Sequence, residues 1–130
     1  RGTVNMISKK TVLEMCRLFG SHPEDIRAVI GPGIGYDSFQ VGEEVALTFK
    51  ESGFPIDRIW SFRGARKERT MEGGHHLDLK ECVRCSLIKC GVAEENISIS
   101  DIDTYTDGRF YSARREGISC GRNINAIMLI

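Results

Sequence analysis

Amphipathic helical runs alternate with short β-rich runs along this chain, and a glycine follows each of the longer helical runs. Apolar residues recur at three- and four-residue steps across residues 4–19, a spacing typical of an amphipathic helix, and Gly20 then supplies a C-terminal stop. Residues 26–30 follow as a short strand-forming run. We expect a chain that alternates in this way to fold as an α/β domain, with helices packed on a sheet.

The rest of the chain continues the alternation. Capping-type sequences precede a short helical turn at residues 21–24 and a longer helix that starts at residue 79. Residues 63–74 are rich in charge and glycine and have no periodicity, which predicts a surface loop. The predicted strands lie at residues 39–41, 58–62, 97–100 and 123–130, the last one buried on both faces, and the further helices lie at 42–50 and 79–90.

One short pattern occurs twice. The segment Gly20-x-x-x-Glu24-Asp25-Ile26 has the same order of glycine, acidic turn and strand start as Gly91-x-x-x-Glu95-Asn96-Ile97, and each follows a predicted helix. This match hints at a duplicated helix–strand unit. The predicted architecture is therefore a mixed β-sheet layered with helices, α/β/α-like, in which several strands have no obvious neighbour within the chain.

Composition excludes some partners. The 130 residues include 18 basic and 18 acidic side chains, so no overall field draws the chain to nucleic acid or to an anionic membrane. No apolar run approaches the roughly 20 residues of a membrane span. The odd number of cysteines, five, is a poor disulfide framework and favours reduced thiols, as in a cytoplasmic protein.

A glycine-rich loop follows the first predicted strand. Gly31-Pro32-Gly33-Ile34-Gly35 could bring backbone N–H groups close to an anion such as phosphate, or it could be a tight turn. It is not a dinucleotide fingerprint, because Tyr36 stands where the third glycine belongs, and no Lys-Ser/Thr pair follows as in a P-loop. Both interpretations of the loop stay open.

Cysteine and histidine motifs point mainly to structural roles. Cys82-x-x-Cys85 lies inside a predicted helix without a second pair at zinc-site spacing, and only Cys82 faces the apolar stripe. His75 and His76 are adjacent, so their side chains diverge and at most one is expected to act in a site. We interpret Asp78 as a helix cap, and His76 as a donor to a neighbouring backbone or carboxylate group rather than a catalytic base.

Two adjacent arginines, Arg114 and Arg115, follow a pair of aromatic residues near the end of the chain. Two fixed guanidinium groups suit the recognition of a phosphate or a carboxylate. Salt bridges to acidic side chains of the same chain explain them equally well, and this alternative stays open.

Taken together, these motifs resemble those of the laccase-domain family, also called YfiH-like or polyphenol-oxidase-type. The resemblance spans essentially the whole chain and keeps the order of the motifs. The motifs are Arg1-Gly2-Thr3, the loop 30–35 with residues 39–45, His76-Leu77-Asp78-Leu79, Asp103-Thr104-Tyr105, and residues 110–117 with Gly121-Arg122.

The resemblance implies a function. Several members of the family are described as purine nucleoside phosphorylases, so a nucleoside and phosphate would be the substrates, with adenosine deamination as a companion activity. Editing of a peptidoglycan precursor by an amidohydrolase of the same family is the alternative. A zinc ion would be the cofactor; copper is less expected, because a multicopper centre needs many imidazole ligands and this chain has three histidines.

The resemblance also implies where the sites lie. The family's zinc ligands, two histidines and a cysteine, would all precede Arg1, so residues 1–130 would be a single domain forming the C-terminal part of a larger one. Gly33 and Asp103 stand where the family usually has cysteine. The residues predicted to bind substrate or phosphate are Arg1, Gly31, Gly33, Gly35, Arg114 and Arg115, and His76 and Asp78 are predicted to orient the site without contacting substrate.

A non-enzymatic interpretation applies to this chain taken alone. With strand edges uncovered, it would be an inactive scaffold that persists as a homo-oligomer or by pairing with the missing N-terminal segment.

Overall fold

A computed structural model describes residues 2–63 and 74–128, and these form a mixed α/β arrangement, as predicted. Within these two ranges, no helix combines the length and the apolar character needed to cross a membrane. The helices are α1 (Ile7–Phe19), α2 (Glu43–Glu51), α3 (Ile56–Ile59), α4 (Leu79–Ile88) and α5 (Ala113–Glu116), and the strands are β1 (Ala28–Ile30), β2 (Gln40–Val41), β3 (Trp60–Arg63), β4 (Gly74–Leu77) and β5 (Ile97–Ile99).

The strands form two separate small sheets in the described ranges. β1 and β5 pair in parallel, with Ala28 opposite Ile97 and Ile30 opposite Ile99. β4 lies between β2 and β3 in an antiparallel sheet, in which His76 is opposite both Gln40 and Ser61.

The duplicated helix–strand unit hinted at by the sequence is present. α1 and α4 each end near a glycine in the left-handed region, Gly20 at φ 65° and Gly91 at φ 93°, and each is followed by a single 3₁₀ turn and a strand. The two turns contact each other, because Asn96 Nδ2 donates to the Glu24 carbonyl at 2.7 Å. The two units therefore lie side by side, and their strands form the parallel pair.

Helix α4 is buried from two sides. Cys82 packs into one apolar cluster and Leu87 into the other, which lies between α1, α4 and the β1–β5 pair. Cys85, predicted to lie off the apolar face, is also buried, and its Sγ donates to Glu81 Oε1 at 3.4 Å. The first cluster contains Ala46, Phe49, Phe54, Ile59, Leu77 and Cys82, and the second contains Val12, Leu87 and Val92.

Several predicted strands differ from the structure, and the one predicted at residues 26–30 begins two residues later, at Ala28. The strand predicted at residues 58–62 begins two residues later, because Pro55 starts the short helix α3. The strand predicted at residues 123–130 is wrong for the residues described, since residues 121–128 have no strand partner and Ile124 is 90% exposed. Apolar residues alone do not form a strand without a neighbouring edge. Most of the surface loop predicted at residues 63–74 lies outside the described residues.

The predicted cap of α4 is confirmed. Asp78 is the N-cap residue, and its Oδ1 accepts a hydrogen bond from the Glu81 N–H at 2.9 Å. This contact satisfies one of the N–H groups that a helix leaves unpaired at its start.

We predict that Asp78→Ala lowers the free energy of unfolding by about 1 kcal/mol, because it removes this cap. Urea unfolding followed by circular dichroism measures the change. Asp57→Ala is the matched control, since Asp57 lies in the first turn of α3, where no side-chain cap is formed. Equal effects of the two substitutions would contradict the assignment of Asp78 as a cap.

Candidate functional site

The glycine loop at residues 31–35 continues the parallel pairing of β1 with β5. Gly33 N–H donates to the Ile102 carbonyl at 3.5 Å, and Thr104 N–H donates to the Gly33 carbonyl at 3.1 Å. Gly33 and Asp103 thus form an isolated parallel bridge beyond the ends of the two strands. The loop is held directly against the segment that follows β5.

One carboxylate fastens this loop further. Asp103 accepts hydrogen bonds from Ser38 Oγ at 2.5 Å, from Tyr105 N–H at 2.9 Å, and from the Gly35 backbone. Burial by itself would raise the pKa of Asp103, but these hydrogen bonds and the charge of Lys80 outweigh it and lower that pKa below its ordinary value. We call these contacts the Asp103 clasp.

Close neighbours explain why two positions of the loop are glycine: the Asp103 clasp at Gly35, and the Asn125 side chain at Gly31. A Cβ atom at Gly35 would lie 2.7 Å from Asp103 Oδ2, and one at Gly31 would lie 2.4 Å from Asn125 Oδ1. The N–H groups of Gly33 and Gly35 already donate within the protein, and a carboxylate stands where a bound anion would be. For Gly33 and Gly35, the geometry therefore favours the tight-turn interpretation over the predicted phosphate cradle, and the predicted role of Gly31 stays a prediction.

The two adjacent arginines make different contacts. Arg115 donates to four backbone carbonyls, those of Thr104 at 2.9 Å, Tyr105 at 2.9 Å, Asp107 at 3.3 Å and Phe110 at 2.6 Å. It also pairs with the carboxylate of its sequence neighbour. These contacts occupy its guanidinium group, so Arg115 holds the 104–110 segment in place rather than facing a ligand.

Arg114 points the other way, toward β2. Its Nη1 donates to the Gln40 carbonyl at 2.8 Å, and its guanidinium carbon lies 5.4 Å from the centre of the Phe39 ring. A guanidinium has five N–H donors, so this contact leaves others for an acceptor that enters beside it.

A cavity of about 490 Å³ opens next to Arg114, and we call it the Arg114 cavity. Three of the motifs that the sequence singled out meet there: the glycine loop, the Asp103-Thr104 segment and the arginine-containing helix α5 with the residues before it. Its walls include Ile34, Phe39, Thr104, Tyr111, Ser112 and Arg114.

The remaining predicted site residues lie away from this cavity wall. His76 Nδ1 is 3.3 Å from the Tyr36 carbonyl, a backbone contact of the kind expected for it, and Asp78 caps α4. The neighbouring His75 accepts a hydrogen bond from Trp60 Nε1 at 2.9 Å. Arg1 lies outside the described residues, so its predicted role stays a prediction.

The cysteines are free thiols, as the sequence favoured. Burial raises the pKa of the Cys82 thiol to about 12, and the charge of Asp78 adds to this effect, so the thiol stays protonated. Over residues 2–63 and 74–128, no three side chains of His, Cys, Asp or Glu come together in a way that could hold a metal ion. The Cys82-x-x-Cys85 pair is consistent with the structural role assigned to it.

Sequence reasoning missed Lys80 and Ser38. Lys80 Nζ donates to the carbonyls of Ser100 at 2.7 Å and Ile102 at 2.8 Å, and so fixes the segment that leads to Asp103. A lysine in the first turn of a helix is usually solvated, and no local pattern indicates partly buried contacts 20 and 22 residues away. A serine after a glycine loop likewise gives no signal of its distant partner.

We predict that Gly35→Ala destabilises the protein by about 1–3 kcal/mol, because the new methyl group displaces the Asp103 carboxylate from its donors. Thermal unfolding followed by calorimetry measures the change. Gly108→Ala is the control, since nothing lies within 4 Å of a Cβ atom at that position. A Gly35→Ala protein as stable as the control would mean that the clasp tolerates the displacement.

The fold and the cavity define an α/β protein whose candidate site is built from loops at the ends of parallel strands. The family described as multi-copper polyphenol oxidoreductase laccase matches residues 1–130, and the chain belongs to that family. The family resemblance stated from the sequence is thereby confirmed.

Curated relatives carry names of nucleoside enzymes. The chain is 43% identical over 130 residues to a purine nucleoside phosphorylase of Bacteroides thetaiotaomicron, and this match covers 99% of the chain and 46% of the relative. It is 39% identical over 128 residues to the adenosine deaminase RL5 of an unknown prokaryotic organism, covering 98% of the chain and 46% of the relative.

A solved structure shares the fold. The hypothetical protein YfiH of Bacillus licheniformis superposes with a TM-score of 0.76 at 32% identity, over 89% of this chain and 42% of that protein. The chain thus spans about half the length of the relatives that it matches.

Proposed function

We propose that this chain forms part of an enzyme that cleaves purine nucleosides with phosphate. The observation that carries the proposal is the 43% identity, over 99% of the chain, to a protein named purine nucleoside phosphorylase. In such a reaction, a phosphate oxygen forms a bond to the ribose C1′ while the bond from C1′ to the purine nitrogen breaks. The bonding electrons leave with the purine, which takes up a proton.

The Arg114 cavity supports this proposal chemically. Phosphorolysis needs a cationic donor for the phosphate and an apolar surface for the planar base. Arg114 supplies guanidinium donors at one wall, and the rings of Phe39 and Tyr111 line the same cavity. We assign phosphate recognition to Arg114, since the donors of Arg115 and the N–H groups of Gly33 and Gly35 are used within the protein.

We propose zinc only as a cofactor of the complete enzyme, and not of this chain taken alone. The residues that the structure describes do not fit a zinc ion, because they gather no set of three suitable ligands. We therefore derive no step through zinc from this chain. We propose that the zinc site of the complete enzyme is built from residues that precede the position of Arg1 in the family. This proposal rests on the resemblance.

Adenosine deamination is a second candidate activity. The relative named adenosine deaminase RL5, 39% identical over 98% of the chain, favours it. Both activities would place a purine nucleoside in the same cavity, so they share the contacts with the base. No contact among the described residues favours the peptidoglycan-precursor alternative.

We predict that Arg114→Ala, in the complete enzyme, raises the KM for phosphate about tenfold or more, because it removes a charge-assisted hydrogen bond to the anion. The assay is release of hypoxanthine from inosine at varied phosphate concentrations. Arg109→Ala is the matched control, since Arg109 is exposed and pairs with Asp107 outside the cavity.

Two results of this assay would overturn parts of the proposal. A full-activity Arg114→Ala enzyme would remove Arg114 from phosphate recognition. Absence of hypoxanthine with the unaltered complete enzyme would refute phosphorolysis, and ammonia release from adenosine in the same preparation would then favour deamination.

An apolar groove favours the hypothesis that this chain, which spans only part of its relatives, pairs with another segment. A largely apolar groove of about 710 Å³ lies between α1, β1 and residues 124–127. Val29 on β1 is 64% exposed and Ile127 is 74% exposed, both at this groove. Parallel strands are normally covered on both faces. We propose that the part of the family architecture outside the matched region covers this groove.

We predict that Val29→Glu weakens this pairing about tenfold or more, because it places a charge in the apolar contact. The measurement is co-migration on sizing with a separately produced segment of the Bacteroides relative taken from outside the match. Leu47→Glu is the control, since Leu47 is exposed on α2 away from the groove. Dimers of the chain alone that are lost in Val29→Glu would instead assign the groove to a second copy.

A further inference from the structure

Two segments that carry walls of the Arg114 cavity are joined through one side chain. The Asp103 carboxylate accepts hydrogen bonds from Ser38 and Gly35 on one segment and from Tyr105 on its own segment. Ser38 lies 65 positions away in the sequence, so this is a tertiary contact and not a local turn. The carboxylate is partly buried, which strengthens such charge-assisted bonds.

The clasp lies directly behind the cavity wall. Ile34 precedes Gly35, Thr104 follows Asp103, and both Ile34 and Thr104 line the cavity. Thr104 is only 6% exposed, and its N–H bonds across to Gly33 at 3.1 Å. A displacement of the carboxylate would therefore move two walls at once, although Asp103 itself does not line the cavity.

The surroundings of the carboxylate keep it charged and in place. Lys80 holds the Ser100 and Ile102 carbonyls just before it, which brings a positive charge near Asp103. The Asp107 carboxylate differs, because within the described part of the chain its hydrogen bonds come from Arg109, two residues along the same segment, and Asp107 does not line the cavity.

We propose that Asp103 is a positioning residue for nucleoside binding: its carboxylate fixes the spacing between Ile34 and Thr104, the two cavity walls that it joins. This inference rests on the proposed function for the identity of the ligand. The fastening of the two walls is independent of that function, and it is tested separately.

The experiment compares Asp103→Asn with Asp107→Asn, both nearly unchanged in side-chain volume. Amide hydrogen exchange of Gly35 and Thr104, followed by NMR, reports the fastening of the walls. The KM and kcat for inosine in the complete enzyme report substrate binding. We expect Asp103→Asn to speed exchange at both amides and raise the KM about tenfold while kcat changes less, and Asp107→Asn to change neither.

Ser38→Ala serves as the milder second variant, because it removes one hydrogen bond and retains the charge of Asp103. Its effects should have the same direction as those of Asp103→Asn, and the double variant should be no worse than Asp103→Asn alone. If the effects of Asp103→Asn and Ser38→Ala are additive, the two substitutions act through different contacts, and the inference is overturned.

The outcomes separate the inference from the proposed function. Faster amide exchange in Asp103→Asn with an unchanged KM would overturn the inference, because the carboxylate would then stabilise the fold without positioning substrate. Unchanged exchange would overturn it as well. If the unaltered enzyme neither binds nor converts inosine, the proposed function fails, while the exchange rates still decide whether Asp103 fastens the two walls.

Discussion

The parallel pairing of β1 with β5 is the constraint on which the candidate site depends. Parallel strands end at the same edge of a sheet, so the loops that follow them meet there. The glycine loop after β1 and the 100–105 segment after β5 are consequently in contact, and the pairing continues between Gly33 and Asp103. Without this pairing, Ser38 and Asp103 would have no reason to be neighbours, and the Arg114 cavity would lose two walls.

Backbone carbonyls determine how the cationic side chains near the site are used. Lys80 and Arg115 both donate to main-chain oxygen atoms of the segment between residues 100 and 110, which has little regular structure of its own. Such a segment leaves many carbonyls without secondary-structure partners, and buried carbonyls must be satisfied. Arg114 makes one such contact and adjoins the cavity, so the division of roles between two adjacent arginines follows from geometry.

The sequence predicted correctly those features that depend only on residues close together in the chain. The periodicity of α1 and α4, the cap at Asp78 and the helix ends at Gly20 and Gly91 all depend on residues within a few positions of one another. The repeated glycine and acidic-turn pattern also indicated the two matching units. The terminal strand could not be predicted in this way, because strand formation requires a partner edge that the local sequence does not specify.

By itself, then, the sequence determined the α/β class, the position of most helices and the motifs that mark the family, because each of these is encoded in residue spacing or residue order. Only the tertiary structure decided that the glycine loop binds a carboxylate of its own chain, that Arg115 holds backbone while Arg114 adjoins a cavity, and that Cys85 is buried. These outcomes depend on contacts between residues far apart in the chain, and composition and periodicity contain no information on such contacts.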